Sequence, residues 1–201
     1  MVRAGATVVA SDVDGSRLEG LPDALTGAPC TLIPNMLDAA DRPSVRAAVG
    51  EIREAQGRID ILVNGVGGST IIESPAATVD ELSFEDWQKV INFNLNATFI
   101  FCNTVVPLMK QAGHGKIVNL ASIAGRGLSG ASSSAYAAAK GGIIAFTRKL
   151  SHELGPSGIN VNAIAPSLTL TERIRPHWEK RNAKQQADEL IVRRFAGLPR
   201  R

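Results

Sequence analysis

Tyr136 and Lys140 stand four residues apart, the spacing that sets two side chains on one face of a helix. A free phenol titrates near ~10 and is a poor base at neutral pH. A neighbouring ammonium favours the phenolate and draws that pKa toward a useful range. Ser122 lies upstream, just after a strand-like run, with a hydroxyl able to donate to a substrate oxygen. Together these groups could move a proton on or off an alcohol or carbonyl while hydride moves to or from a cofactor. The Tyr-x-x-x-Lys pair alone is also common on exposed helices, and in isolation it reads as an ordinary solvated face. Its surroundings have to decide.

The surroundings alternate short β-branched runs with longer helical patterns. Residues 7–12, 30–34, 59–64, 116–121 and 159–163 read as buried strands. Residues 43–56, 84–112 and 134–154 carry apolar side chains at helical spacing. Asp41 suits an N-cap with Pro43 in the first turn, and Gly113, Gly115, Gly155 and Gly158 punctuate helix ends. Such alternation implies a parallel sheet with helices on both faces, a doubly wound, Rossmann-like α/β domain. Ligands of these sheets bind at the carboxyl ends of the strands. There the sequence places Asp12, Asp38 a few residues late, Asn64-Gly65-Val66-Gly67-Gly68, Ser122 and Pro166-Ser167. Small and polar residues therefore share one edge.

Composition narrows the partners. The 201 residues fit one domain spanning 1–201, with 44% hydrophobic and 20% charged residues. A net charge of +3 is no nucleic-acid footprint, and the late basic residues from Arg173 to Arg201 are interleaved with Glu172, Glu179, Asp188 and Glu189. Cys30 and Cys102 are too few for a disulfide framework or zinc site, and His114, His152 and His177 stand apart, so no metal is expected. Gly113-His114-Gly115-Lys116 lacks the upstream glycine and following hydroxyl of a phosphate loop and reads as a turn. Trp87 and Trp178 read as packing residues. No run is apolar enough for a bilayer and no signal-peptide plan opens the chain, so a cytoplasmic protein without a membrane partner is expected.

The motifs gain specificity from their order. Asn64-Gly65-Val66-Gly67, Asn94 within a helix, Asn119-Leu120-Ala121-Ser122, Tyr136 to Lys140 and Asn160 to Pro166 follow one another along the chain. In this order the chain resembles the short-chain dehydrogenase/reductase family from Met1 to its end. The resemblance implies a nicotinamide-dependent oxidoreductase that interconverts a small-molecule secondary alcohol and a carbonyl. Ser122, Tyr136 and Lys140 match its catalytic triad, with Tyr136 as acid/base and Lys140 also holding the nicotinamide ribose. Asn94 matches the asparagine that supports a water-linked proton relay. Among cofactor residues, Asp12 matches the acid on the adenosine ribose and Asp38 the one that contacts adenine. Asn64, Gly65 and Gly67 would run backbone close to the cofactor. Pro166, Thr169 and Thr171 belong to the segment that grips the nicotinamide carboxamide. The Asp12 carboxylate accepts from two ribose hydroxyls and repels a 2′-phosphate, so NAD is expected over NADP. The plainer reading of Asp12 is the cap of a helix over residues 14–21, and of Asp38 an ordinary loop acid. Three departures from the family pattern are Val66 where alanine is usual, Ser167 where glycine is usual, and a Ser122–Tyr136 spacing one residue longer.

The family begins with a strand and a Gly-rich turn, and the present sequence resembles it only from the end of the following helix. It likewise stops before the family's last strand. In the family's strand order the first strand lies between those at 7–12 and 59–64. The expectation is a Rossmann-like sheet lacking that strand, with two unpaired inner edges and weak hold on NAD. A truncated, catalytically silent relative acting only as a protein-interaction module is the alternative. A homo-oligomer, dimer or tetramer, built on the two long helices is implied for a complete family member. The stretches at 68–82 and after Pro166, where the family sets specificity, carry no readable substrate code.

Overall fold

The computed structural model describes residues 1–21, 27, 31–129, 132–167, 169, 175 and 179. Apolar runs form the strands β1 (Val8–Asp12), β2 (Leu32–Met36), β3 (Ile61–Asn64), β4 (Gly115–Leu120) and β5 (Ile159–Ile164). Interspersed with them are the helices α1 (Arg42–Gln56), α2 (Phe84–Ile91), α3 (Ala97–Ala112) and α4 (Ser134–Leu154). Local chemistry sets their ends. The Asp41 carboxylate accepts the Ser44 N–H to start α1, and Gly57 ends it at φ 77°, a left-handed turn that glycine adopts without strain. The supposed phosphate loop is indeed a turn: Gly113 closes α3 at φ 71°, and the His114 imidazole lies 2.7 Å from the Asp60 carboxylate.

The helical pattern departs from expectation twice. Residues 84–112 do not form one regular helix, because Asn92–Asn96 makes a π-helical turn between α2 and α3. The Asn94 amide donates to Val90 O at 2.9 Å and Thr98 Oγ1 donates to Asn94 O at 3.0 Å, which accommodates the extra residue. Residues 14–21 do not form an α-helix either. Only a single 3₁₀ turn, Gly15–Arg17, forms there, and its cap is Asp14, whose carboxylate accepts the Ser16 N–H. Gly15 and Gly20 make that stretch a weak helix former. Asp12 is therefore not a helix cap.

All strand pairings are parallel, but they fall into two sheets, β1-β2 and β3-β4-β5. Among the described residues β1 and β3 each keep one edge without a strand partner. A cavity of about 680 Å³ lies between them. The main core joins Val45 and Val49 of α1, Cys102, Val105 and Met109 of α3, and Leu150 and Leu154 of α4 to Ile117, Ile159 and Val161. Fully buried side chains such as Met109, Ile117 and Leu154 each contribute ~1.5–3 kcal/mol. These helices thus cover the inward-facing positions of β4 and β5. The alternate positions, including Ile61, Val63, Lys116 and Asn160, are exposed. No helix among the described residues is long and apolar enough to cross a membrane.

Candidate active site

β4 delivers Ser122 two residues beyond its end. Ser122 Oγ accepts the Ala124 N–H at 3.2 Å and caps a 3₁₀ turn, Ile123–Arg126. That bond uses an oxygen lone pair, so the hydroxyl proton can still be donated. α4 packs directly on the turn. A Cβ at Gly125 would stand 2.5 Å from Gly141 N and 2.8 Å from Lys140 O, so this close approach requires glycine. Ser133 caps α4 by accepting the Tyr136 N–H at 3.4 Å. The start of α4, with Tyr136 and Lys140, is thereby held against the Ser122 turn.

Lys140 is 3% exposed. Its Nζ donates to Leu120 O at 2.8 Å and lies 5.7 Å from the centroid of the Tyr136 ring. Burial pulls the ammonium down to about 8. The charged form remains the larger fraction at neutral pH. The loop after β3 closes the same site from the other side. Gly67 has φ 149°, and a Cβ there would stand 2.5 Å from Asn94 Oδ1 and 2.8 Å from Lys140 Nζ. The fully buried Asn94 clamps the next residue, its Oδ1 accepting Gly68 N–H and its Nδ2 donating to Gly68 O, both at 3.0 Å.

The Asn64 side chain turns inward. Its amide donates to Asn119 Oδ1 at 2.8 Å and to Cys102 Sγ at 3.3 Å, and Asn119 in turn donates to Thr147 Oγ1 at 2.9 Å. This leaves only the Asn64 backbone to face a ligand. A chain of buried polar groups therefore ties the ends of β3 and β4 to the middle of α4. The sequence reading quoted Asn119 only as motif and passed over Thr147; the available signal was polar residues in an otherwise apolar strand and helix. Cys102 is no nucleophile, since burial pushes its thiol up to about 11.

Asp12, at the end of β1, lines the inter-sheet cavity together with Asn64 and Gly65. Its Oδ1 accepts the Asp14 N–H at 3.0 Å and lies 3.6 Å from the Arg17 guanidinium. Asp38 does not line that cavity; its carboxylate accepts the Ala40 N–H at 2.8 Å within its own turn. Pro166 O accepts the Ile123 N–H at 3.1 Å, joining the segment after β5 to the Ser122 turn. The exposed Thr169 donates to Ser167 O at 3.3 Å, and Thr171 lies outside the described residues. The Ser167 hydroxyl is buried with no hydrogen-bond partner among the described residues. Beside Tyr136, Ile71, Ile72, Leu82 and Trp87 fold back onto the start of α4, and the Ser133 N–H donates to Pro75 O at 2.7 Å.

Gly67 with no side chain, the buried Lys140 ammonium, the unpaired Ser167 hydroxyl and Asp12 on the cavity suit the two ribose ends and the nicotinamide of a dinucleotide. Among the described residues no glycine-rich turn opens a helix for its pyrophosphate, so the fit stops there.

Comparison with known proteins agrees with this geometry. A hydroxy(phenyl)methyl-succinyl-CoA dehydrogenase subunit of Thauera aromatica is 36% identical over 182 residues, 90% of this chain and 69% of that protein. A Burkholderia xenovorans structure described as a short-chain dehydrogenase/reductase superposes with a TM-score of 0.85 at 31% identity, covering 98% of this chain and 72% of that one. A 3-oxoacyl-(acyl-carrier protein) reductase from Brucella melitensis, solved with bound NAD, gives 0.77 at 33% identity, covering 87% of this chain and 66% of that one. The chain spans about two thirds of the length of the curated relatives it matches, 69%, 65% and 65% for three of them. Residues 1–182 match the family model described as short chain dehydrogenase. With that match laid over the meeting of Ser122, Tyr136, Lys140, Asn94 and Gly67, the chain belongs to the short-chain dehydrogenase family of NAD(P)-dependent oxidoreductases.

Proposed function

We propose that the protein interconverts a secondary alcohol and a carbonyl, with Tyr136 as the proton carrier and NAD as the hydride carrier. The observation that carries this reading is the buried Lys140 ammonium 5.7 Å from the Tyr136 ring. In the oxidative direction an alcohol and NAD⁺ give a carbonyl, NADH and one proton. Tyr136 Oη, as phenolate, takes the hydroxyl proton while the carbinol hydrogen leaves as hydride. When bound, the nicotinamide supplies the carbon that accepts that hydride. Ser122 donates to the substrate oxygen and holds it near Tyr136. Lys140 keeps the phenolate accessible and can donate to ribose hydroxyls. Asn94 fixes the Gly67-Gly68 backbone, and the family resemblance supports a further role for it in a water-linked proton relay.

Asp12 supports NAD over NADP, because a 2′-phosphate would be brought against its carboxylate. The family resemblance also supports assembly through α3 and α4, where Phe99, 49% exposed, packs edge-on against Phe146 with ring centroids 6.3 Å apart.

The test follows deuterium from labelled cofactor into the product alcohol of a carbonyl panel, for the native chain and for Tyr136→Phe. Losing a positioned acid/base removes ~10²–10⁴-fold of rate, and the ring that remains should leave NAD binding unchanged. A Tyr136→Phe enzyme keeping more than about a tenth of the native rate would refute the assignment.

A further inference from the structure

Gly65 to Gly67 and Ser122 follow the carboxyl ends of β3 and β4. At the opposite ends of the same two strands, Asp60 immediately precedes β3 and His114 immediately precedes β4, and the catalytic chemistry uses neither. Lys116 N–H donates to Asp60 O at 2.9 Å, so this end of the paired strands is in register. The turn that carries His114 is also confined. A Cβ at Gly158 would stand 2.5 Å from Gly113 O, so the turn before β5 packs directly on it. Both imidazole nitrogens face acceptors: Nε2 lies 2.7 Å from Asp60 Oδ1, and Nδ1 lies 3.1 Å from Ala112 O, the last carbonyl of α3. A neutral imidazole carries one N–H and satisfies only one of them, whereas the imidazolium donates to both. The carboxylate and the negative end of the α3 dipole favour that charge together. Arg58 opposes it, but its guanidinium is engaged by Asp60, with Nε 2.9 and 3.0 Å from the two carboxylate oxygens and Nη2 2.9 Å from Oδ1. Hydrogen bonds from Arg58 and then from His114 hold the Asp60 carboxyl below its usual range, so near neutral pH only His114 changes charge.

We propose that His114 is a proton-operated clasp, which as imidazolium ties the end of α3 to the start of β3 and on losing its proton lets the end of α3 go. Which contact is lost follows from the strength of the acceptors. The Asp60 carboxylate is charged and keeps the one remaining N–H on Nε2. Nδ1 is then left lone pair to lone pair against Ala112 O, and the last turn of α3 frays. The hydrogen bond to Asp60, and after it the bond to Ala112 O, raises the His114 pKa above its ordinary 6.5. The contribution of the clasp is therefore complete below pH 6.5 and is lost as pH rises through the raised value. Because the imidazole is half exposed, the clasp is a local device at the end of one helix and not a determinant of global stability. It does not depend on the catalytic reading, and its test needs no cofactor.

The first measurement is a ¹⁵N NMR titration of the three histidine rings in the native 201-residue chain, assigned through backbone correlations. His114 should titrate above 6.5, with both ring nitrogens protonated below its midpoint and the remaining proton on Nε2 above it. Asp60→Asn should lower its proton affinity about threefold or more. The second measurement is amide exchange at Gly113 and His114, whose N–H groups donate to Lys110 O and Met109 O. Protection relative to the intrinsic rate should fall about threefold or more between about pH 6 and about pH 9 in the native chain and stay level in His114→Gln. A His114 midpoint at or below 6.5 would overturn the proposal, and so would a proton that stays on Nδ1 at alkaline pH. An unchanged proton affinity in Asp60→Asn would reduce His114 to a cap of α3 alone, which also overturns it. Protection that holds level in the native chain, or falls equally in His114→Gln, would show that the proton opens nothing. The ring titration needs no variant, so it can refute the clasp even where a substitution prevents folding.

Discussion

Replacing Lys140 with methionine should flatten the alkaline stability profile of the protein. The side chain is 3% exposed, and burial lowers its pKa from 10.5 to about 8. Below pH 8 the native state holds a buried ammonium that the unfolded chain carries in water. Between pH 8 and 10.5 the unfolded lysine still binds a proton that the native one has released, so stability rises with pH across that window. The displacement is 10.5 − 8 = 2.5, which at ~1.4 kcal/mol per unit gives about 3 kcal/mol. Methionine keeps the apolar stem but cannot donate to Leu120 O, a loss of about 1–3 kcal/mol that is the same at every pH. The offset and the slope are therefore separable. Urea unfolding at intervals from pH 7 to 10.5 measures both. A phenolate on Tyr136 would hold the ammonium and shrink the effect, so both proteins are best compared with Tyr136→Phe also in place. The lysine form should then gain about 3 kcal/mol relative to the methionine form over the series. Two parallel stability curves would refute the reasoning, because Lys140 would be titrating as a solvated side chain.

Removing the Asp12 carboxylate should take away the charge that opposes a 2′-phosphate and leave the Arg17 guanidinium, 3.6 Å from Asp12 and 3.4 Å from Asp14, with one carboxylate partner fewer. Asp12→Ala is expected to raise the ratio of kcat/KM with NADP to that with NAD by about tenfold or more; equal use of both cofactors by the native protein would assign Asp12 to its turn alone. Asn119→Leu leaves the Asn64 amide and the Thr147 hydroxyl without their mutual partner. It should lower stability by ~2–4 kcal/mol in urea unfolding, and an unchanged midpoint would mean that the buried polar chain holds nothing together.

Periodicity in the sequence determined the elements. Five strands and the helices α1 and α4 lie within a few residues of their expected positions, because apolar repeats at two and at 3.6 residues report which face must be buried. Spacing alone put Tyr136 and Lys140 on one face of α4, since helical geometry fixes that neighbourhood wherever the helix goes. Tertiary structure decided the rest. The break at Asn92–Asn96 depends on Asn94 reaching Gly68, 26 residues away, which a local pattern cannot report. The inward turn of Asn64 depends on partners on β4 and α3 that are distant in sequence. The closeness of Ser122 to α4 rests on Gly125 meeting Gly141, a contact that a glycine in the sequence permits but does not announce. Burial of Lys140 is likewise a property of what packs around it, so the sequence could supply a lysine but not a lysine lowered to about 8. Strand identity was local, whereas the gap between β1 and β3 could be expected only through the family's strand order. Which edges pair is settled by hydrogen bonds between strands distant in sequence.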